Sequence, residues 1–307
     1  MSPTRSTILT LASVGAAVLA GACTSNDGLT RPGAAPLECG AAPVHYLIDG
    51  VIIPIHAGEQ TANGLDLDGD THVDNGLGNA AMALAGVHPA DFNPGIPMNS
   101  ALAGGKVAWV LSTTTCGAQV RVDLARATDA DGDGRYTLEP RDPIAAGGTS
   151  VAGHISAREG RGAAPVAMLA DPLGTFADPG WIDADALGVD LTVTGDEISG
   201  VLGFALPVPD ALPVIGGPLA AYFTKLLAAG DSEWAAMIDT DHDGVISVDE
   251  FMSGPIDSDT NDSLVGALLS PDLTLYGEGG RYGDSEDRPA KALSAGIGIH
   301  AHVVDAE

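Results

Sequence analysis

Positive charge is what this chain has least of. Thirteen lysines and arginines face 41 aspartates and glutamates across 307 residues, a formal net charge of −28. A surface of that sign repels phosphate backbones and anionic headgroups, which argues against nucleic acid as a partner and against electrostatic docking on lipid. Aromatic residues are scarce at 4%, thin provision for gripping sugar rings. Cysteines number three: Cys23, Cys39 and Cys116. Beyond the N-terminal segment no apolar run is long and unbroken. The richest, Ile198 to Leu227, is interrupted by Pro207, Pro209, Asp210, Pro213 and Pro218. The signatures of common hydrolases are missing too, with no H-E-x-x-H, no G-x-S-x-G and no phosphate-binding glycine loop. These absences lean against an enzyme without deciding the matter, because carboxylate pairs of the glycosidase kind are not recognisable in so acidic a chain.

What is present is enough for a core. Hydrophobic residues make up 45% and mean hydropathy is +0.18, which separates this chain from acidic disordered ones. Glycine (41) and proline (20) are abundant, a mixture suited to short elements joined by tight turns. The sequence divides into three parts. Residues 1–22 read as a signal peptide: Arg5 precedes an apolar run from Ile8 to Ala22, too short for a membrane span. Residues 23–42 read as a flexible tether, and 43–307 as a β-rich domain. The junction has two readings. Ala20-Gly21-Ala22 suits ordinary cleavage and secretion. "LAGAC" resembles the bacterial lipoprotein signal, with Leu19 four residues before the cysteine rather than three. That resemblance implies lipidation of Cys23 and a membrane anchor at the outer membrane or cell surface; without it the protein is periplasmic or secreted. Lipidation of Cys23 would leave Cys39 and Cys116 as an even pair in an oxidising compartment, where a disulfide or two free thiols are the alternatives.

Strands are expected at 44–55, at 106–115 and 118–128 as a hairpin about Cys116-Gly117, at 189–208 folded on Gly195-Asp196, and at 291–304 as a closing strand. Val120, Val122 and Leu124 alternate with polar residues, so one face of that hairpin meets water. Pro218 suits the first position of a helix over "PLAAYFTKLLAAG", with Gly230 as its stop. The pattern predicts a mainly β fold, a β-sandwich with a small helical insert at about 218–253.

That insert holds "DTDHDGVISVDEF". Asp239, Asp241 and Asp243 alternate, Gly244 follows where the backbone must turn sharply, and Glu250 stands twelfth. The spacing resembles the EF-hand calcium loop at every ligand position. The resemblance implies calcium held by Asp239, Asp241, Asp243, the Val245 carbonyl, Ser247 and Glu250, with Ile246 as the apolar anchor. Two further loops are less complete. In "DLDGDTHVDN" Asp66, Asp68 and Asp70 keep the rhythm, but Leu77 stands twelfth and Asp74 would have to close the shell. In "DADGDGRYTLEP" Asp129, Asp131 and Asp133 precede Gly134, but Glu139 falls one residue early. "DSDTND" (257–262) has no closing carboxylate and reads as a loop. His300 and His302 share one face of the last strand, which suits a transition metal or simply a strand surface.

The chain as a whole resembles a group of predicted bacterial lipoproteins of uncharacterised function, frequent in myxobacteria. The likeness is carried by "IDGVIIPI", "GLDLDGDTHVDNGLG", "ISGVLGFALPV", "LVGALLSPDLTL" and "ALSAGIGIHAHV". Relatives often carry another D-x-D-G-D run after the "PDL" segment, where this chain has "YGEGGRYGDSEDRPAK". The resemblance implies a calcium-dotted β domain on a lipid tether and supplies no activity. With helices this short, and only Met237 and Met252 near the loop, a calcium sensor is disfavoured. The expectation is a calcium-binding envelope or adhesion protein in which the ion is structural. The alternative is a calcium-stabilised secreted hydrolase. No residue names a protein or glycan partner.

Overall fold

The computed structural model describes residues 37, 39–56, 58–67, 71–87, 93–139, 144–158, 162–165, 181–184, 186–230, 233–253, 271–275 and 290–307. The signal peptide, Cys23 and most of the tether lie outside them. In chain order the strands are β1 (Val44–Ile52), β2 (Ala108–Cys116), β3 (Gln119–Thr128), β4 (Arg135–Leu138), β5 (Ile144–Val151), β6 (His154–Arg158), β7 (Gly162–Pro165), β8 (Trp181–Ala184), β9 (Ala186–Thr194), β10 (Glu197–Pro207), β11 (Leu273–Leu275) and β12 (Ala290–Ala306). The helices are α1 (Glu59–Ala62), α2 (Gly76–Val87), α3 (Gly95–Ala103), α4 (Val208–Ala229), α5 (Glu233–Ile238) and α6 (Val248–Ser253).

The mainly β expectation holds, but the sandwich does not. Eight of the described strands close into an antiparallel barrel in the order β1-β2-β3-β5-β6-β9-β10-β12, and β12 returns to pair with β1. Hairpin-connected strands of alternating polarity build a sandwich or a barrel equally well. The closing pair decides between them, and it joins opposite ends of the chain. β12 is long enough to lie between both neighbours, pairing β10 from Glu197↔His302 to Pro207↔Ala292 and β1 from His45↔Val304 to Ile52↔Gly298. Closure gives each of the eight barrel strands a neighbour on both sides.

Side chains alternate accordingly. Val120, Val122 and Leu124 point inward with Trp109, Leu111, Leu187, Val189, Leu191, Phe204, Ile297 and Ile299, all members of one buried cluster. Outward stand the Arg121–Asp123 pair, with nitrogen and oxygen 2.7 Å apart, and His154 facing Asp190 at 3.6 Å. A barrel that crosses a bilayer has the reverse polarity, apolar toward lipid. No described helix is long and apolar enough to cross a membrane. Helix α4 continues directly from β10 and adds Ile215, Leu219, Ala220, Phe223 and Leu226 to the core. It starts at Val208, ten residues before the expected Pro218, and ends at Gly230, whose φ of +71° suits glycine. Cys39 and Cys116 are disulfide-bonded, with Cα atoms 5.9 Å apart, tying the end of the tether to the β2–β3 turn.

Between α1 and α2, the described residues Asn63, Leu65, Leu67 and Asn75 lie against the barrel wall. Gly188, Gly203 and Gly296 are register partners across β9, β10 and β12. A Cβ on Gly188 would lie 2.9 Å from Leu67 Cδ2, and one on Gly296 only 2.2 Å from the Asn63 carbonyl. The glycine row is what admits the loop. Asn75, 2% exposed, locks it. Its amide donates to the carbonyls of Asn63 and Gly296, both at 3.2 Å, while its oxygen accepts the N–H groups of Gly296 and Gly78, both at 2.9 Å. β1 stops pairing at Gly298, so the side chain of Asn75 serves Gly296 where a strand would have. An Asn75→Ala substitution strands both backbone groups of Gly296. Buried groups left unpaired cost about 1–3 kcal/mol each, so urea unfolding of the variant should show a loss of roughly 2–6 kcal/mol. An unchanged midpoint would mean that the loop is not fixed by this contact.

Candidate metal centre

Among the described residues, two groups of carboxylates have ligand atoms all within 4.8 Å of one another: Asp239, Asp241 and Asp243, and Asp129, Asp131 and Asp133. Both clusters arise from one backbone pattern. In the loop from Asp239, His242 (φ +60°) and Gly244 (φ +83°) take left-handed conformations at the fourth and sixth positions. In the loop from Asp129, Gly132 (φ +75°) and Gly134 (φ +84°) do the same. The sixth N–H then reaches the first carboxylate: Gly244 to Asp239 Oδ2 at 3.2 Å, Gly134 to Asp129 Oδ2 at 3.0 Å. The seventh N–H reaches the fifth, with Val245 to Asp243 at 2.7 Å and Arg135 to Asp133 at 2.9 Å. In the third loop Thr71 (φ +75°), at the sixth position, likewise donates to Asp66 Oδ2 at 3.1 Å.

After the sixth residue the loops part company. Behind Asp129 the chain enters β4, and the Glu139 carboxylate lies 3.2 Å from Arg126 Nε on the neighbouring strand, outside the acidic cluster. Behind Asp66, the nearly buried Asp74 accepts the Leu67 N–H at 2.6 Å; Asp68 and Asp70 lie outside the described residues, as does 257–262. Among the described residues, only the loop from Asp239 brings a closing glutamate back to its start. Glu250 Oε1 accepts the N–H and hydroxyl of Thr240 at 3.0 and 3.1 Å and the N–H of Asp241 at 3.3 Å. Its Oε2 accepts the N–H and hydroxyl of Ser247 at 3.0 and 2.8 Å, while Ser247 Oγ accepts the Glu250 N–H at 3.1 Å. This reciprocal box starts α6. The donors, those of Ser247 first, hold the Glu250 carboxyl at about 2 against an ordinary 4.5.

Asp239 differs from its partners by depth. It ends α5 and is 5% exposed, whereas Asp241 and Asp243 are open to solvent. One oxygen takes the Gly244 N–H; the other, Oδ1, is buried and among the described residues has no hydrogen-bond partner. A buried carboxylate oxygen left unpaired is costly, and such atoms usually mark a missing water or ion. The first turn of α6 buries Phe251 against Phe223 of α4, ring centres 5.5 Å apart. The loop is thereby fastened to the core on its exit side.

A second polar group lies on the outer wall, where β1 bulges between Ile48 and Gly50. The two oxygens of Asp49 lie 2.7 Å from the Nδ1 atoms of His300 and His302. A carboxylate only accepts, so both imidazoles donate Nδ1–H, and the bond from Asp49 raises the pKa of His300. The shared face of the two histidines was readable from their i, i+2 spacing; the bulge that brings Asp49 between them was not.

Acid titration in the presence of chelator tests the Glu250 box. Its folded pKa is depressed, so its contribution to stability is complete above the ordinary 4.5 and is lost as pH falls toward about 2. Carboxyl carbon-13 resonances should show Glu250 titrating near 2; a midpoint at the ordinary value would show that the box does not form.

Comparison with protein-family models, curated proteins and solved structures gave no match.

Proposed function

We propose that this chain is an exported calcium-binding protein of the cell envelope, in which calcium serves the structure rather than a signal. The observation that carries the reading is the buried, half-satisfied carboxylate of Asp239, set in a ring with Asp241 and Asp243. Oxygen-only donors of this kind suit a hard cation taking roughly six to eight ligands at 2.3–2.6 Å. Val245 offers its carbonyl at the seventh position, Ser247 stands ninth and Glu250 twelfth, as in the EF-hand family that the sequence resembles. Magnesium suits the loop less well, because it keeps its waters and demands a tighter octahedron.

A structural role follows from the surroundings. α5 and α6 are six residues each, and the apolar anchors Ile246 and Phe251 are already buried. A sensor would have to expose a groove that these helices are too short to form. The inside of the barrel is filled by Trp109, Phe204, Leu111, Leu124 and Leu187, each under 2% exposed, which favours a binding or architectural role for loops and outer wall over catalysis in the interior. The polar outer face supports a domain standing in water, held to the membrane by a lipid on Cys23 through the 23–42 tether. Adhesion or envelope architecture is the role that fits an acidic, calcium-filled module at that address.

Thermal unfolding in calcium and in chelator tests the reading. At 100 times the dissociation constant, calcium should add about 2.7 kcal/mol of stability. Asp239→Asn and Glu250→Gln should each remove most of the calcium-dependent rise in midpoint. A rise kept by both variants but lost in Asp129→Asn would move the ion to the other cluster, and no rise at all would end the proposal.

A further inference from the structure

The loop from Asp239 is fastened to the molecule at its eighth position by a side chain. Ile246 donates its N–H to Thr224 Oγ1 at 2.8 Å, across from α4. The same hydroxyl lies 3.0 Å from the Ala220 carbonyl one turn back in the helix, and 3.4 Å from the Ile246 carbonyl. Having one proton, it is positioned to donate to Ala220 and accept from Ile246, which fixes its rotamer. Ile246 is buried, so its backbone N–H must find a partner within the protein. Here a helix supplies the partner. The adjacent residue, Phe223, packs on Phe251 just past the closing glutamate. Positions eight and thirteen of the segment are thus anchored on neighbouring residues of α4.

We infer that Thr224 is a positioning residue for the ion loop, its hydroxyl holding the backbone of Ile246. It fixes the chain immediately after Val245, whose carbonyl is the seventh-position ligand, without touching the ion itself. The inference rests on the calcium reading and adds that the affinity of the loop is set in part by α4. Because α4 follows β10 and enters the barrel core, ion occupancy and the packing of that barrel end are coupled.

The test is calcium affinity of the full chain, measured by competition with a chromophoric chelator. Thr224→Val keeps the shape and removes the hydroxyl; Thr224→Ser keeps the hydroxyl and removes a methyl. The valine variant should bind calcium about tenfold more weakly, the worth of one buried hydrogen bond, and the serine variant about as tightly as wild type. Wild-type affinity in the valine variant overturns the inference, as does an equal loss in both variants, which would assign the effect to packing. A wild-type chain that binds no calcium overturns the calcium reading itself, a distinct result. Should the valine variant not fold, wild-type hydrogen exchange decides. The Ile246 amide should exchange more slowly in calcium than in chelator, and an equal rate in both overturns the coupling.

Discussion

The pairing of β12 with β1 is the constraint on which the rest of the molecule depends. Without it the eight strands form an open, curled sheet with two bare edges, one of them the 17-residue β12. With it, the apolar rows of Val120, Leu191, Phe204 and Ile297 enclose a common interior and the charged rows face water. Closure also creates the place where the wall needs help. β1 gives out at Gly298, and below that point the backbone of Gly296 is served by the amide of Asn75. The acidic loop that begins at Asp66 is therefore part of how the barrel wall is completed.

A barrel with so negative a surface must manage its own repulsion. The described carboxylates do so in three ways. Some take cationic partners, as Asp123 does with Arg121 and Glu139 with Arg126. Some accept backbone N–H groups, as Asp74 does from Leu67 and Glu250 from both ends of its loop. The third group, Asp239, Asp241 and Asp243, crowds three carboxylates together with one of them buried. Backbone donors satisfy only part of that cluster, and a divalent cation would satisfy the remainder.

The local features of this architecture were legible in the sequence, and the long-range ones were not. Period-two alternation and Gly-Asp or Cys-Gly turns mark the hairpins β2–β3 and β9–β10 almost to the residue, since those signals are local. Sandwich against barrel turns on a contact between the first and last strands, which no local pattern encodes. The start of α4 was hidden because Pro209 and Pro213 read as breakers, although Pro209 sits in a first turn where no N–H is required. At the acidic loops, the left-handed sixth position was legible from Gly244 and Gly134, while Thr71 adopts the same conformation without glycine's signature. The destination of each closing carboxylate was the least legible feature. Glu139 is drawn away by an arginine on the neighbouring strand, and Asp74 by the backbone of its own loop. Four outward residues meet β12: Asp49 bonds His300 and His302, Asn75 bonds Gly296, Gly203 pairs with Gly296, and Asp272 accepts the Ser294 N–H. Ser294 accepts the Gly76 N–H at 2.6 Å and is hydrogen-bonded to Asp272, which joins the "PDL" segment to the start of α2.

What Asp239 Oδ1 faces decides whether calcium belongs in this loop. The most direct measurement is a crystal structure of the protein grown in calcium, with anomalous scattering used to identify the ion. A calcium peak is expected roughly 2.3–2.6 Å from Asp239 Oδ1, with Asp241, Asp243, the Val245 carbonyl and Glu250 completing the shell. A loop that shows no calcium peak, with Asp239 Oδ1 bonded only to water or protein, would contradict it.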